Sequence, residues 1–97
     1  MDLKTFRDSL LEAHAPKGLS NALVGLWLDA KGDWDAAHRA VQAEGKGNAT
    51  WVHAYLHRKE GDLSNAAHWY TKTNKLAPDV SLAEEWETIA VCLLEES

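Results

Sequence analysis

A chain of 97 residues, 45% apolar and 26% charged, suits one soluble globular unit with a single modest core. Its net charge of −5 opposes a phosphate backbone, and His57-Arg58-Lys59 is too short a basic run to reverse that, so nucleic acid is not an expected partner. No stretch approaches the roughly 20 apolar residues of a membrane span, and no basic start leads into an apolar run, so neither a membrane nor a signal peptide is expected.

The breakers divide the chain into six helical segments. The first runs from about Asp2 to His14, with Leu3, Phe6, Leu10 and Ala13 on one face, and Pro16-Lys17-Gly18 stops it. The second, from about Leu19 to Lys31, carries Leu23, Leu26, Trp27 and Ala30, and Gly32 suits the left-handed residue that ends it. Asp33 caps the third, which shows Trp34, Ala37 and Val41 and closes at Gly45-Lys46-Gly47. Asn48 is the expected cap of the fourth, with Trp51, Val52, Tyr55 and Leu56, and Gly61 ends it. Asp62 caps the fifth, which places Leu63, Ala66, Ala67, Tyr70 and Asn74 on one side and runs towards Pro78. Ser81-Leu82-Ala83-Glu84 is a capping box that opens the last helix, with Leu82, Trp86, Ile89, Ala90 and Leu93 facing inward. No segment alternates with period two, so an all-α fold with at least 60% helix and no sheet is expected. The short linkers make successive helices antiparallel neighbours within one domain, 1–97.

One phrase occurs twice. Gly32-Asp33-Trp34 with Ala37 is answered by Gly61-Asp62-Leu63 with Ala66, 29 residues later. Such a period marks a repeated supersecondary unit. Each alanine falls five positions after its turn glycine, so both are expected to be buried at equivalent helix–helix contacts.

These residues resemble the tetratricopeptide repeat. Gly61-Asp62-Leu63 with Ala66, Tyr70 and Pro78 looks like that family's second half-repeat, and Val24-Gly25, Gly32-Asp33-Trp34 and Ala37 match its pattern in the first copy. The resemblance implies two helical hairpins, about 19–44 and 48–78, with flanking helices. Departures are clear: the family repeats about every 34 residues, Val41 replaces an aromatic, and Ala54 replaces a glycine. The Lys and Asn of the family's peptide-carboxylate clamp are also missing from their positions. The run Trp51–Asp62 is similar to a segment of small bacterial and fungal proteins, a likeness that implies no activity.

Few residues offer chemistry. His53 and His57 stand four apart on one helix, with Glu60 three further on, a plausible zinc set that lies opposite Trp51, Val52 and Tyr55 on a helical wheel. A solvated polar face is the simpler reading. Two histidines on one helix leave at least one ligand to be found, so no tight structural metal and no cofactor are expected. His38, beside Trp34, reads as a buried histidine making one hydrogen bond, and His14 as a helix-end residue. Glu84-Glu85 and Glu95-Glu96 read as solvated surface. Cys92 lies among Val91, Leu93 and Leu94 as a small buried hydrophobe, and a lone thiol fits a reducing cytoplasm. No Ser-His-Asp or Cys-His set and no phosphate loop is present, since Gly45-Lys46-Gly47 is too short. No catalytic residue is assigned.

The leading expectation is therefore a small non-enzymatic interaction module that holds a peptide or protein partner in a helical groove. Trp51, Tyr55 and Arg58, with Asp29 nearby, would line it, the aromatics giving apolar area and the arginine a carboxylate contact. The alternative is a His-based metal-binding or catalytic protein centred on His53 and His57. Self-association is the third expectation. Two hairpins fall below the three repeats usually needed for stability, so the flanking helices or a second copy must close the ends.

Overall fold

Short polar residues fix where each helix begins. Asp2, Ser20, Asp33 and Asp62 accept hydrogen bonds from the backbone N–H groups of Thr5, Leu23, Ala36 and Asn65, satisfying donors that a helix start leaves free. The structure, a computed structural model, describes residues 1–96. It contains α1 (Leu3–Asp8), a 3₁₀ turn (Ser9–Leu11), α2 (Asn21–Ala30), α3 (Trp34–Glu44), α4 (Asn48–Glu60), α5 (Leu63–Lys72) and α6 (Leu82–Glu96). Helix accounts for 71% of the chain, and no strand occurs among the described residues, as the periodicity predicts.

Several boundaries differ from the sequence reading. The first helix stops at Asp8 and tightens into the 3₁₀ turn instead of running to His14. Asn48 is the first residue of α4 and not its cap; Gly47 holds the cap position, and the Asn48 side chain donates to Glu96 Oε1 at 3.2 Å. Helix α5 ends at Lys72, six residues before Pro78, and Asn74 lies outside it in the left-handed region at φ 59°. Its N–H donates to Thr71 O, and that of Lys75 to Tyr70 O, so the helix closes on its own carbonyls and does not depend on the proline.

Helices α2 and α3 pack as one hairpin, α4 and α5 as a second, and α3 lies against α4. The close approaches repeat with the sequence. Gly25 faces Ala37 and Val41 in the first hairpin, while Ala54 packs with Ala66 and Tyr70 in the second. Ala37 and Ala66 are both buried, as expected from their spacing. A methyl on Gly25 would come within 2.6 Å of Val41 Cγ1, which explains the smaller residue there.

The flanking helices cover the exposed side of this pair. Helix α6 packs on α2 and α4, and α1 lies on α6, with Phe6 stacked on Trp86 at 5.8 Å. Two indoles of this core also bond through nitrogen: Trp86 Nε1 donates to Leu26 O and Trp27 Nε1 to Ser9 Oγ. The result is a main core drawn from α1, α2, α3, α4 and α6, and a smaller cluster of Ala54, Ala66 and Tyr70 between α4 and α5.

Candidate metal-binding site

Two helices bring three histidines together. His38 comes from α3 and His53 and His57 from successive turns of α4, while α5 closes the far side. The i, i+4 spacing puts His53 and His57 on the α4 face between the two hairpins, where they are 4% and 7% exposed. This corrects the reading of that face as solvated. The polar stripe of α4 is inside because α3 and α5 both pack against it.

One ligand atom from each of His38, His53 and His57 can be chosen so that all lie within 4.8 Å of one another. The closest pair is His38 Nε2 and His53 Nε2 at 3.0 Å, one ring supplying the proton and the other the lone pair. Indoles hold this pair on both sides. His38 stacks on Trp34 at 5.0 Å, and His53 stacks on Trp69 at 4.1 Å. Trp34 Nε1 donates to Leu56 O and Trp69 Nε1 to Asn65 Oδ1, so neither ring is free to swing away. His57 is oriented separately: its Nδ1 meets Glu60 Oε2 at 2.6 Å, and Asn65 Nδ2 lies 3.4 Å from its Nε2. A carboxylate at Nδ1 favours the proton there and leaves Nε2 as the lone-pair nitrogen.

Burial lowers the pKa of His53 from 6.5 to about 4, reinforced by the charges His38 and His57 carry when protonated. Burial also lowers that of His38, again with His57 adding to it. Both rings are thereby kept in the neutral form that a metal requires.

The set weighed from the sequence grouped Glu60 with His53 and His57, although a polar face was the simpler reading there. In the structure His38 takes that place, and Glu60 supports His57 from behind. A second grouping, His57 with Glu60 and Asp62, is also compact. It is the poorer site, because both carboxylates are exposed and Asp62 already caps α5.

The residues expected to line a groove are not brought to one surface. Tyr55 and Asp29 are interior, the Tyr55 hydroxyl donating to Asp29 Oδ2 at 2.9 Å, with Lys59 Nζ at 2.8 Å from the other carboxylate oxygen. Burial, then the Asp29 charge, raises the Tyr55 pKa. Arg58 is directed at α6, where Nη1 donates to Glu85 Oε1 at 2.8 Å and Nη2 to Val80 O. Trp51 is half-buried under Lys75, whose ammonium sits 4.2 Å from the ring centroid. Tyr55 and Asp29 edge one surface cavity and Trp51 a different one.

Glu85 was missed as an interior residue. It is 3% exposed and also accepts from the Tyr70 hydroxyl at 2.5 Å. Its position three after Leu82 and four before Ile89, on the apolar stripe, carried the signal. Cys92 is half-buried and not fully enclosed, with Sγ 3.9 Å from Glu96 Oε2. Among the described residues no helix is long and apolar enough to cross a membrane.

Comparison with protein-family models, with curated proteins and with solved structures found no match to this chain.

Proposed function

We propose that this protein binds a divalent transition metal through His38, His53 and His57. The observation that carries the reading is the convergence of three imidazoles on one point from two helices. Chance i, i+4 pairs on one helix are common, but a third ring from another helix is what a metal site needs. Zinc bound to imidazole at about 2.0–2.1 Å sets neighbouring nitrogens roughly 3.4 Å apart in a tetrahedron. The His38–His53 nitrogens would part by a few tenths of an ångström from their 3.0 Å, and the other pairs, within 4.8 Å, would draw in by about 1.4 Å at most. Glu60 at His57 Nδ1 supplies the outer carboxylate that such ligands commonly carry. An all-imidazole set suits zinc, copper, nickel or iron over magnesium or calcium. Three protein ligands leave a fourth position for water or another group, the arrangement of sites that exchange ligands.

The test is thermal unfolding of untagged protein with zinc. Zinc at about 100 times its Kd stabilises by roughly 2.7 kcal/mol, a rise in Tm on the order of 10–20 °C for a chain of this size. His38→Ala, His53→Ala and His57→Ala should each remove most of that rise. A Tm that zinc does not move in the parent protein would exclude the site.

A further inference from the structure

A second region offers different chemistry. A cavity of about 500 Å³ opens between the turn joining α3 to α4 and the C-terminal end of α5. Lys46, Lys72 and Lys75 all line it, in a chain whose net charge is −5. None of the three lies within 4.0 Å of a carboxylate oxygen among the described residues. Three cations drawn together without a counterion repel one another, and an anion between them relieves that.

The floor of the cavity supplies donors as well as charge. Gly47 caps α4 without a side-chain hydrogen bond, and the backbone N–H of Asn48, which lines the cavity, has no partner among the described residues. Thr50, on the same turn, is 6% exposed and lines the cavity, and its hydroxyl has no protein partner among the described residues. No buried side-chain oxygen among the described residues lacks a partner, so this hydroxyl is open at the cavity that Thr50 lines, and it is independent of the helix end. Trp51 forms the wall beside it, and Lys75 is held over that ring.

We propose that this cavity binds a phosphorylated small molecule. The phosphate would sit at the start of α4, accepting from the Asn48 N–H and the Thr50 hydroxyl, with the three ammonium groups around it. Three cations and several donors suit a dianion with three terminal oxygens better than a carboxylate with two. The volume admits more than the phosphate alone. No residue of this cavity belongs to the histidine cluster, so the two sites stand or fall separately.

Inorganic pyrophosphate is the probe, titrated at low ionic strength and followed through amide resonances. Saturable shifts are expected, confined to residues 45–51 and 72–75. The double variant Lys72→Gln/Lys75→Gln should bind at least tenfold more weakly, with an unchanged circular dichroism spectrum because both side chains are exposed. Thr50→Val should also weaken binding, whereas Lys17→Gln, an exposed lysine outside the cavity, should not. Shifts that never saturate, or that follow lysines everywhere on the surface, would overturn the proposal. So would parental affinity in the double variant.

Discussion

Arg58 shows how far one side chain's role depends on what packs over it. Read from the sequence it is a groove residue that offers a carboxylate contact to a partner. In the structure it neutralises Glu85, which is buried and also receives the Tyr70 hydroxyl. Burial, with the hydrogen bond and charge of Glu85, raises the Tyr70 pKa, so the phenol stays protonated and donating. Arg58→Ala leaves a carboxylate inside without its cation, a change that costs roughly 3 kcal/mol or more. Adding Glu85→Gln should recover part of that loss, because the amide still accepts from Tyr70 without carrying charge. Urea denaturation of the single and double variants measures both; a single variant within about 0.5 kcal/mol of the parent would mean the pair is not structural. His53 makes a prediction in pH. Its folded pKa, about 4, lies below its ordinary 6.5. Between those values the unfolded chain holds a proton that the folded chain does not, so stability falls as pH drops from 6.5 to 4. His38 adds to the same trend. Urea midpoints of metal-free protein should decline across that window, and His53→Gln should flatten the slope.

At the scale of elements, the two hairpins are variations on one contact. Gly25 with Val41, and Ala54 with Tyr70, occupy matching positions 29 residues apart. A glycine inside a helix sacrifices up to about 1 kcal/mol of propensity relative to alanine. Here it is required, because an added methyl would lie 2.6 Å from Val41 Cγ1 and 3.3 Å from Val52 Cγ1, both on fully buried residues. Gly25→Ala should therefore destabilise by about 1–2 kcal/mol in spite of its better propensity. Trimming the obstacle in Gly25→Ala/Val41→Ala should remove the clash at the price of a smaller cavity elsewhere. Thermal or chemical unfolding decides it, and a stabilised Gly25→Ala would show that the helices can part. The elements themselves were legible in the sequence, since Asp33, Asp62, Gly32 and Gly61 act locally on the backbone around them. The burial of Ala37 and Ala66 followed from the repeat for the same reason. The end of α5 was not legible, because a non-glycine residue, Asn74, takes the left-handed conformation and the helix closes on its own carbonyls well short of Pro78.

For the molecule as a whole, the sequence concealed which polar faces are interior. His53 and His57 read as solvated because a wheel shows one helix and not the two that cover it. His38 stands 15 residues away in the chain, with nothing local to pair it with them. Glu85 and Asp29 were hidden in the same way, each buried with partners on other helices. The binding surface expected along α4 is divided by this packing between an interior tyrosine, an arginine committed to α6 and a tryptophan beside a basic cavity. What the fold assembles instead is an imidazole cluster clamped by two indoles. X-ray absorption of zinc-loaded, untagged protein tests that centre most directly. A one-to-one complex whose zinc has three imidazole nitrogens at about 2.0–2.1 Å, falling to two in His38→Ala, is the predicted result. Zinc bound mainly by oxygen, or a first shell that His38→Ala leaves unchanged, would contradict it.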